Sequence, residues 1–473
     1  MCSLSLYQLT KINMTFLTEL GSEMNKTHTE NGAVTLRSTT DPLVDFFALA
    51  GATRKNPELG LDLFKKAFAK DKQIAVRTLF YLRDVRGGQG ERMLFRNCLQ
   101  YLAENEKEIS DKIVSFVPEY GRWDDIFGLH TETIIPLIKK QLEEDVKNET
   151  PSLLAKWLPS ENTSSEKTKT LARGMRKALG MSAKEYRKTL SGLRKKIRLV
   201  EHNMSKNEWA GIEYRKVPSQ ASLKYRKAFN RHDETRYQNY LQSVTEGKEK
   251  INTSTLYPYQ VYKAVNTPGA EQLWSNLPDY TQGKNAIVVA DVSCSMMGDP
   301  MAVSVSLALY FAERNTSIFK DHFITFSGEP TLQKINGSTL RDKINSIERA
   351  EWGMNTNIQK VFDCVLNASR SSDDVPETIY IISDMEFDSC TGGNTNFEDI
   401  KAKYSAREMK MPNLVFWNVD ARNKQVPVEQ NENGVTLVSG LSPSTFKLAV
   451  ENLSPYELVM QVVNSDRYAT IVV

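Results

Sequence analysis

Between residues 43 and 146 apolar side chains recur at three- and four-residue spacing: Leu43, Phe46, Phe47 and Ala50, then Leu63, Phe64, Ala67 and Phe68, then Leu94, Phe95, Cys98, Leu99 and Leu102. That period predicts a run of helices, each burying one stripe. Breaks fall at Asn56-Pro57, Gly87-Gly88-Gln89-Gly90 and Gly121, so the connections are short and successive helices should stack as antiparallel neighbours. Residues 159–170 read as a loop. Residues 171–204 read as basic helices around Ser182, an N-cap with Glu185 three positions on, and further helices follow from Pro218-Ser219 and over 233–246. The irregular stretch 250–282, with Pro258, Pro268-Gly269 and Pro278, marks a boundary.

After Lys284 the period changes. The run Ala286 to Ala290 is continuously apolar, and 322–327, 378–383 and 413–419 are further strand-like runs, each followed by helical pattern. Alternation of strand and helix predicts an open, mostly parallel α/β sheet with helices on both faces, doubly wound. Ser442-Pro443 and Ser454-Pro455 each predict a late helix start. The expected organisation is an N-terminal tail over 1–41, a helical domain over 42–280 and an α/β domain over 281–473.

Charge divides at the same boundary. The formal net charge is only +3, yet residues 1–280 hold 44 Lys and Arg against 34 Asp and Glu, while 281–473 hold 17 against 24. Residues 151–250 alone hold 23 against 10, a local field that suits an anionic partner. A length of 473 residues with 40% hydrophobic and 25% charged composition excludes a disordered or fibrous chain. Five scattered cysteines, Cys2, Cys98, Cys294, Cys364 and Cys390, have no CxxC spacing, so neither a disulfide framework nor a zinc ribbon is indicated. With no long apolar span and no secretory pattern at the start, a cytoplasmic protein without membrane contact is expected. Met1 and Met14 both remain open as the initiator.

In a doubly wound sheet, functional loops lie at the carboxyl ends of the strands. The first strand runs into Asp291-Val292-Ser293-Cys294-Ser295, the strand at 378–383 runs into Asp384, and Trp352-Gly353-Met354-Asn355-Thr356 precedes a helix. Three hydroxyls and two carboxylates form an all-oxygen donor set, the chemistry of a hard cation, Mg²⁺ or Mn²⁺. The bland alternative is that Asp291 and Ser293 only cap the next helix. A phosphoaspartyl enzyme would need a second Asp where Ser293 stands, no GxxxxGK[ST] loop exists, and no histidine motif pairs Cys294 with a base. The expectation is a protein that is not an enzyme.

The order DxSxS, Thr, Asp resembles the von Willebrand factor A domain with its metal-ion-dependent adhesion site. The resemblance implies ligation by Ser293, Ser295 and Thr356, with Asp291 and Asp384 acting directly or through water. Where A domains present Gly-Gly-Thr, this chain has Met354-Asn355-Thr356.

The amino-terminal half carries Arg83-Asp84-Val85-Arg86-Gly87-Gly88-Gln89-Gly90-Glu91-Arg92 and Glu119-Tyr120-Gly121-Arg122-Trp123-Asp124-Asp125. Glycines permit tight connections and alternating charges allow ion pairs between adjacent turns, a structural reading favoured over a phosphate loop because the glycines follow a helix. With the stretch Trp209 to Ser219 and the A domain, these blocks resemble an uncharacterised family related to the Ro autoantigen, or TROVE-module, proteins. That resemblance implies a ring of HEAT-like helical repeats closed by an A domain, a ribonucleoprotein scaffold binding small structured RNA outside and single-stranded RNA ends in its hole. Candidate RNA contacts are Lys184, Arg187, Lys188, Arg194, Lys195, Lys196 and Arg198, with Tyr186, Tyr214, Tyr225 and Tyr237 as stacking surfaces. Two alternatives stay open: a solvated basic face, and a protein-assembly factor whose metal site grips a partner's carboxylate.

Overall fold

The computed structural model describes residues 23–281, 283–326, 329–350, 356–390, 392–448 and 453–473. Met1, Met14, Cys2 and residues 352–355 of the hydroxyl loop lie outside them. Helices dominate up to residue 275, and a six-stranded sheet with flanking helices follows.

Local chemistry explains the helix starts. Asn56 accepts from Leu59 N with Pro57 in the first turn, and Asp71 accepts from Ile74 N to open Lys72–Arg83. Ser182 and Glu185 form the expected capping box of Ala183–Ile197. The stretch read as a loop up to residue 170 already turns helical at Glu166, where Ser165 caps Glu166–Ala178. Short helices Pro258–Tyr262 and Ala270–Ser275 occupy the expected boundary.

In the sheet, β3 (Ala286–Ala290) lies centrally between β4 (His322–Thr325) and β6 (Thr378–Ser383), both parallel to it. On one side β5 (Leu332–Lys334) pairs antiparallel with β4; on the other β7 (Asn413–Asn418) and β8 (Val435–Ser439) continue in parallel. The order is β5-β4-β3-β6-β7-β8, so the chain reverses direction across β3 and opens a crevice at the carboxyl ends of β3 and β6. Strands β3, β6 and β8 are buried along their whole length, as parallel strands covered on both faces must be.

One feature departs from the expected organisation. Residues placed in a tail form a hairpin, β1 (Lys26–His28) with β2 (Val34–Leu36), which pairs through Leu36 with Val426 and through Gly32 with Asp388. The helical segment meets the α/β half at both ends. At its start Pro42–Leu49 packs on β8 and on Pro455–Val463, and Lys72–Arg83 packs on Pro455–Val463 and Asp466–Ala469. At its end Pro258–Tyr262 packs on Asp299–Arg314, Trp274 Nε1 donates to Glu313 at 2.6 Å, and Tyr310 Oη donates to Pro278 O. One continuous apolar core therefore runs through both halves, and a second small core gathers around Ile212, Tyr214, Phe229 and Tyr237. No described helix is long and apolar enough to cross a membrane.

Candidate functional site: the strand-end crevice and the helical cavity

Asp291 N continues the parallel ladder past β3 by donating to Ile382 O at 3.0 Å, which sets Asp291 beside the end of β6. Its Oδ2 accepts from Ser383 Oγ at 2.6 Å and its Oδ1 from Ser293 N at 2.9 Å. Asp291 thus shapes its own loop and does not cap the helix Asp299–Arg314, whose N-cap is Gly298. The Ser293 and Ser295 hydroxyls lie 2.9 Å apart. Asp384 Oδ1 accepts from Glu386 N at 3.2 Å, while Oδ2, fully buried, accepts no hydrogen bond from the described residues; Arg422 Nη2 stands 3.4 Å from it. Between Asp384 and Glu386, Met385 adopts φ +66, a left-handed conformation costing about 1–2 kcal/mol in a residue with a side chain.

Burial, then the charge of Asp384, pushes Asp291 up to about 6 despite its hydrogen bonds from Ser383 and Ser293. Asp384 is raised as well, chiefly by burial, against the opposing pull of Ser295, Glu386 N and Arg422. Two buried carboxylates short of positive charge, one with an orphaned oxygen, and two adjacent hydroxyls fit a hard cation. Thr356 is 1% exposed, but its hydroxyl donates to Glu386 O at 3.0 Å and Asp388 Oδ1 at 2.9 Å, so it is turned toward the loop 384–388. Among the described residues no cluster of three or more His, Cys, Asp or Glu gathers as a metal centre, and no disulfide joins Cys98, Cys294, Cys364 and Cys390.

The basic helices divide. Lys184, Arg187, Lys188, Lys195 and Arg198 are exposed. Arg194 is half-buried and donates to Ala155 O at 2.8 Å, Leu158 O at 2.7 Å and Ser160 Oγ at 2.7 Å; Lys196 donates to Val146 O and Asn148 O, both at 3.0 Å, at the end of Thr131–Lys147. Those two side chains bind the fold itself. Tyr186, Tyr214 and Tyr237 are buried, which removes them as stacking surfaces, because the amphipathic stripe that exposes lysine turns tyrosine inward.

Between its two attachments the helical segment surrounds a cavity of about 1160 Å³. Arg54, Arg83, Arg86, Arg92, Arg122, Lys156 and Lys224 line it, against Glu91, Glu119 and Glu201. Arg83 pairs with Asp125, Arg54 with Glu91 and Arg122 with Asp124, whereas Arg86, Arg92, Lys156 and Lys224 have no carboxylate partner among the described residues. Burial, then the neighbouring Arg122 and Arg96, hold Arg92 below its usual range against the opposing pull of Asp124 and Asp125. Aromatic faces accompany the cations: the Arg122 guanidinium lies 3.9 Å from the centre of the Trp157 ring, and Tyr225, Tyr257 and Tyr259 also line the wall.

The two charged blocks are joints. Arg83 Nη2 to Asp125 Oδ2 is 2.7 Å, Arg96 reaches both Asp124 and Asp125 at 2.7 Å, and Asp84 accepts from Arg467 and from Tyr468 Oη, tying the glycine loop to the last helix. Gln89 Nε2 donates to Thr445 Oγ1 at 2.9 Å across the same seam.

A protein of Acanthamoeba polyphaga mimivirus described as uncharacterized is 31% identical to this chain, covering 93% of it and 87% of the viral protein. The family described as domain of unknown function DUF2828 matches residues 29–107 and 136–293. The chain belongs to the DUF2828 family. A second domain of unknown function, DUF7788, matches residues 285–467 of this DUF2828 protein. The crystal structure of the Ro (RSR) protein of Deinococcus radiodurans is similar over 87% of the chain and 100% of its own length, at 12% identity and a TM-score of 0.37.

Sequence reasoning missed several residues of the DUF2828 protein's crevice. Ser383 and the alternating acids of Asp384-Met385-Glu386-Phe387-Asp388 were visible at a strand end. Arg422, Glu30 and Asn31 had no local signal, because each reaches the crevice only through the tertiary fold.

Proposed function

We propose that this chain is a non-enzymatic RNA-binding scaffold whose helical ring holds a single-stranded RNA end in the cavity, with a Mg²⁺ or Mn²⁺ site at the strand ends. The carrying observation is the cavity lining: four cations without carboxylate partners, interleaved with Trp157, Tyr225, Tyr257 and Tyr259, in a volume of about 1160 Å³. Cations that follow a phosphate backbone and aromatic faces on which bases stack are the two requirements of single-strand binding. The exposed Lys184, Arg187, Lys188, Lys195 and Arg198 add a second, outer basic surface suited to duplex phosphates.

The cation would be held by Asp291, Ser293, Ser295 and Asp384, with Thr356 one step behind. It would supply positive charge and a Lewis-acidic docking point for a further oxygen ligand.

Fluorescence anisotropy of a labelled uridine dodecamer at several salt concentrations tests the cavity reading. Affinity should fall with salt, and Arg92→Gln and Lys224→Gln should each flatten the log–log slope by about 0.7. Trp157→Ala should lower affinity by about 1–3 kcal/mol without changing that slope. Absence of binding at low salt, or variants that keep the parental slope, would refute the proposal.

A further inference from the structure

Positive charge is concentrated at one part of the cavity wall. Arg96 and Arg122 both reach Asp124 Oδ2, at 2.7 and 2.8 Å, so two guanidiniums converge on one carboxylate oxygen. Arg83 and Arg96 share Asp125, each at 2.7 Å. Arg96 N donates to Arg92 O at 3.1 Å, which sets Arg92 one helical turn ahead of Arg96. Four arginines, Arg83, Arg92, Arg96 and Arg122, thus gather around two aspartates, a surplus of two positive charges, while the adjacent Arg54 and Glu91 neutralise each other.

That surplus is open to the cavity. Arg122 gives Nε and Nη2 to Asp124 at 2.9 and 2.8 Å, but its Nη1 and the whole Arg92 guanidinium have no acceptor among the described residues, and both side chains line the cavity. Apolar surface accompanies them: Met93 and Leu153, 55% and 48% exposed, line the same cavity, next in sequence to Arg92 and close to Trp157. Exposed apolar side chains beside donors without acceptors match a ligand that has both an anion and a hydrophobic face. A phosphodiester brings one negative charge, whereas a phosphomonoester above its second pKa of about 6 brings nearly two and presents three oxygens to the guanidinium forks.

We infer that Arg92 and Arg122 form a subsite for the terminal phosphomonoester of a single-stranded RNA, with the adjoining nucleoside against Met93 and Leu153. The inference rests on the single-strand reading above and adds to it the chemistry of the strand end that is held. Lys224, on the helix Ser219–His232, lines the cavity outside this cluster and serves the strand without distinguishing its end.

The test is fluorescence anisotropy of the full chain with an internally labelled uridine dodecamer in three forms: 5′-phosphorylated, 3′-phosphorylated, and with hydroxyls at both ends. Near pH 7.5 a phosphorylated form should bind at least tenfold more tightly than the hydroxyl form, and the arm that gains identifies the end that enters. The advantage should shrink near pH 5, where the monoester carries a single charge. Arg92→Gln should abolish the advantage and still bind the hydroxyl form, while Lys224→Gln should weaken all three alike. Equal affinities for the three forms, or an advantage that survives Arg92→Gln or is lost equally in Lys224→Gln, would overturn the subsite and leave the single-strand reading intact. No binding of any form would overturn both.

Discussion

Replacing Asp125 with alanine should destabilise the helical half by about 4 kcal/mol. The Asp125 side chain is fully buried and accepts from Arg83 Nε at 2.8 Å and Nη2 at 2.7 Å, from Arg96 Nε at 2.7 Å and from Arg122 N at 2.9 Å. Arg83 is itself 2% exposed, so truncation leaves a guanidinium in the interior with no counter-charge, a change that costs about 3–5 kcal/mol. Arg96 is 30% exposed and water compensates it, adding less than about 1 kcal/mol. A long chain with two cores need not unfold in one step, so the loss should be read by hydrogen exchange at the amides of Lys72–Arg83 and Trp123–Asp125. The double variant Arg83→Met, Asp125→Leu removes both charges and should recover most of the loss. A cost below about 1 kcal/mol for Asp125→Ala, or a double variant no more stable than the single, would refute the assignment of these blocks as an ion-paired joint.

Three further outcomes follow from particular contacts. A Cβ at Gly88 would lie 1.9 Å from Tyr81 O, so Gly88→Ala should lower the thermal midpoint sharply, whereas Gly192→Ala, with open space around a helical position, should stabilise by about 0.5–1 kcal/mol; equal shifts would contradict the geometry. Because Asp291 is raised from 3.8 to about 6, the folded metal-free protein holds that proton more tightly than the unfolded chain, and the contribution is present below about pH 4 and lost as pH rises through 6. Urea titrations should therefore show parental stability falling relative to Asp291→Asn across that window, by on the order of 3 kcal/mol, and a difference independent of pH would count against it. Arg194→Ala should destabilise the fold by a few kcal/mol, since three acceptors lose their donor, while Lys184→Gln, Arg187→Gln and Lys188→Gln together should leave the thermal midpoint within a degree or two; the reverse ranking would mean the exposed face is structural.

Periodicity and composition by themselves determine much of this protein. A period near 3.6 with caps at Asn56, Asp71 and Ser182 is a local property, since the hydrogen bonds that start each helix lie within three residues of the cap. The buried runs 286–290 and 378–383 and the polar residues that end them were equally legible, because parallel strands covered on both faces require continuous apolar sequence. Strand β8 was missed despite being fully buried, since five residues after a turn carry too little pattern to be distinguished from a loop.

What only the tertiary structure decided concerns pairs far apart in the chain. The basic stretch 171–204 gives no sign that Arg194 and Lys196 serve backbone carbonyls while Lys184 and Arg187 face water, because that depends on which neighbour each helix face meets. The cavity is invisible in sequence for the same reason: Arg92, Trp157, Lys224 and Tyr257 share a wall only because the helical segment returns to the α/β half. Glu30 reaches Arg422 across nearly the whole chain through a hairpin of two short strands with no strong period of their own. Local sequence determines which backbone hydrogen bonds can close; long-range packing determines which side chains those elements bring to one place.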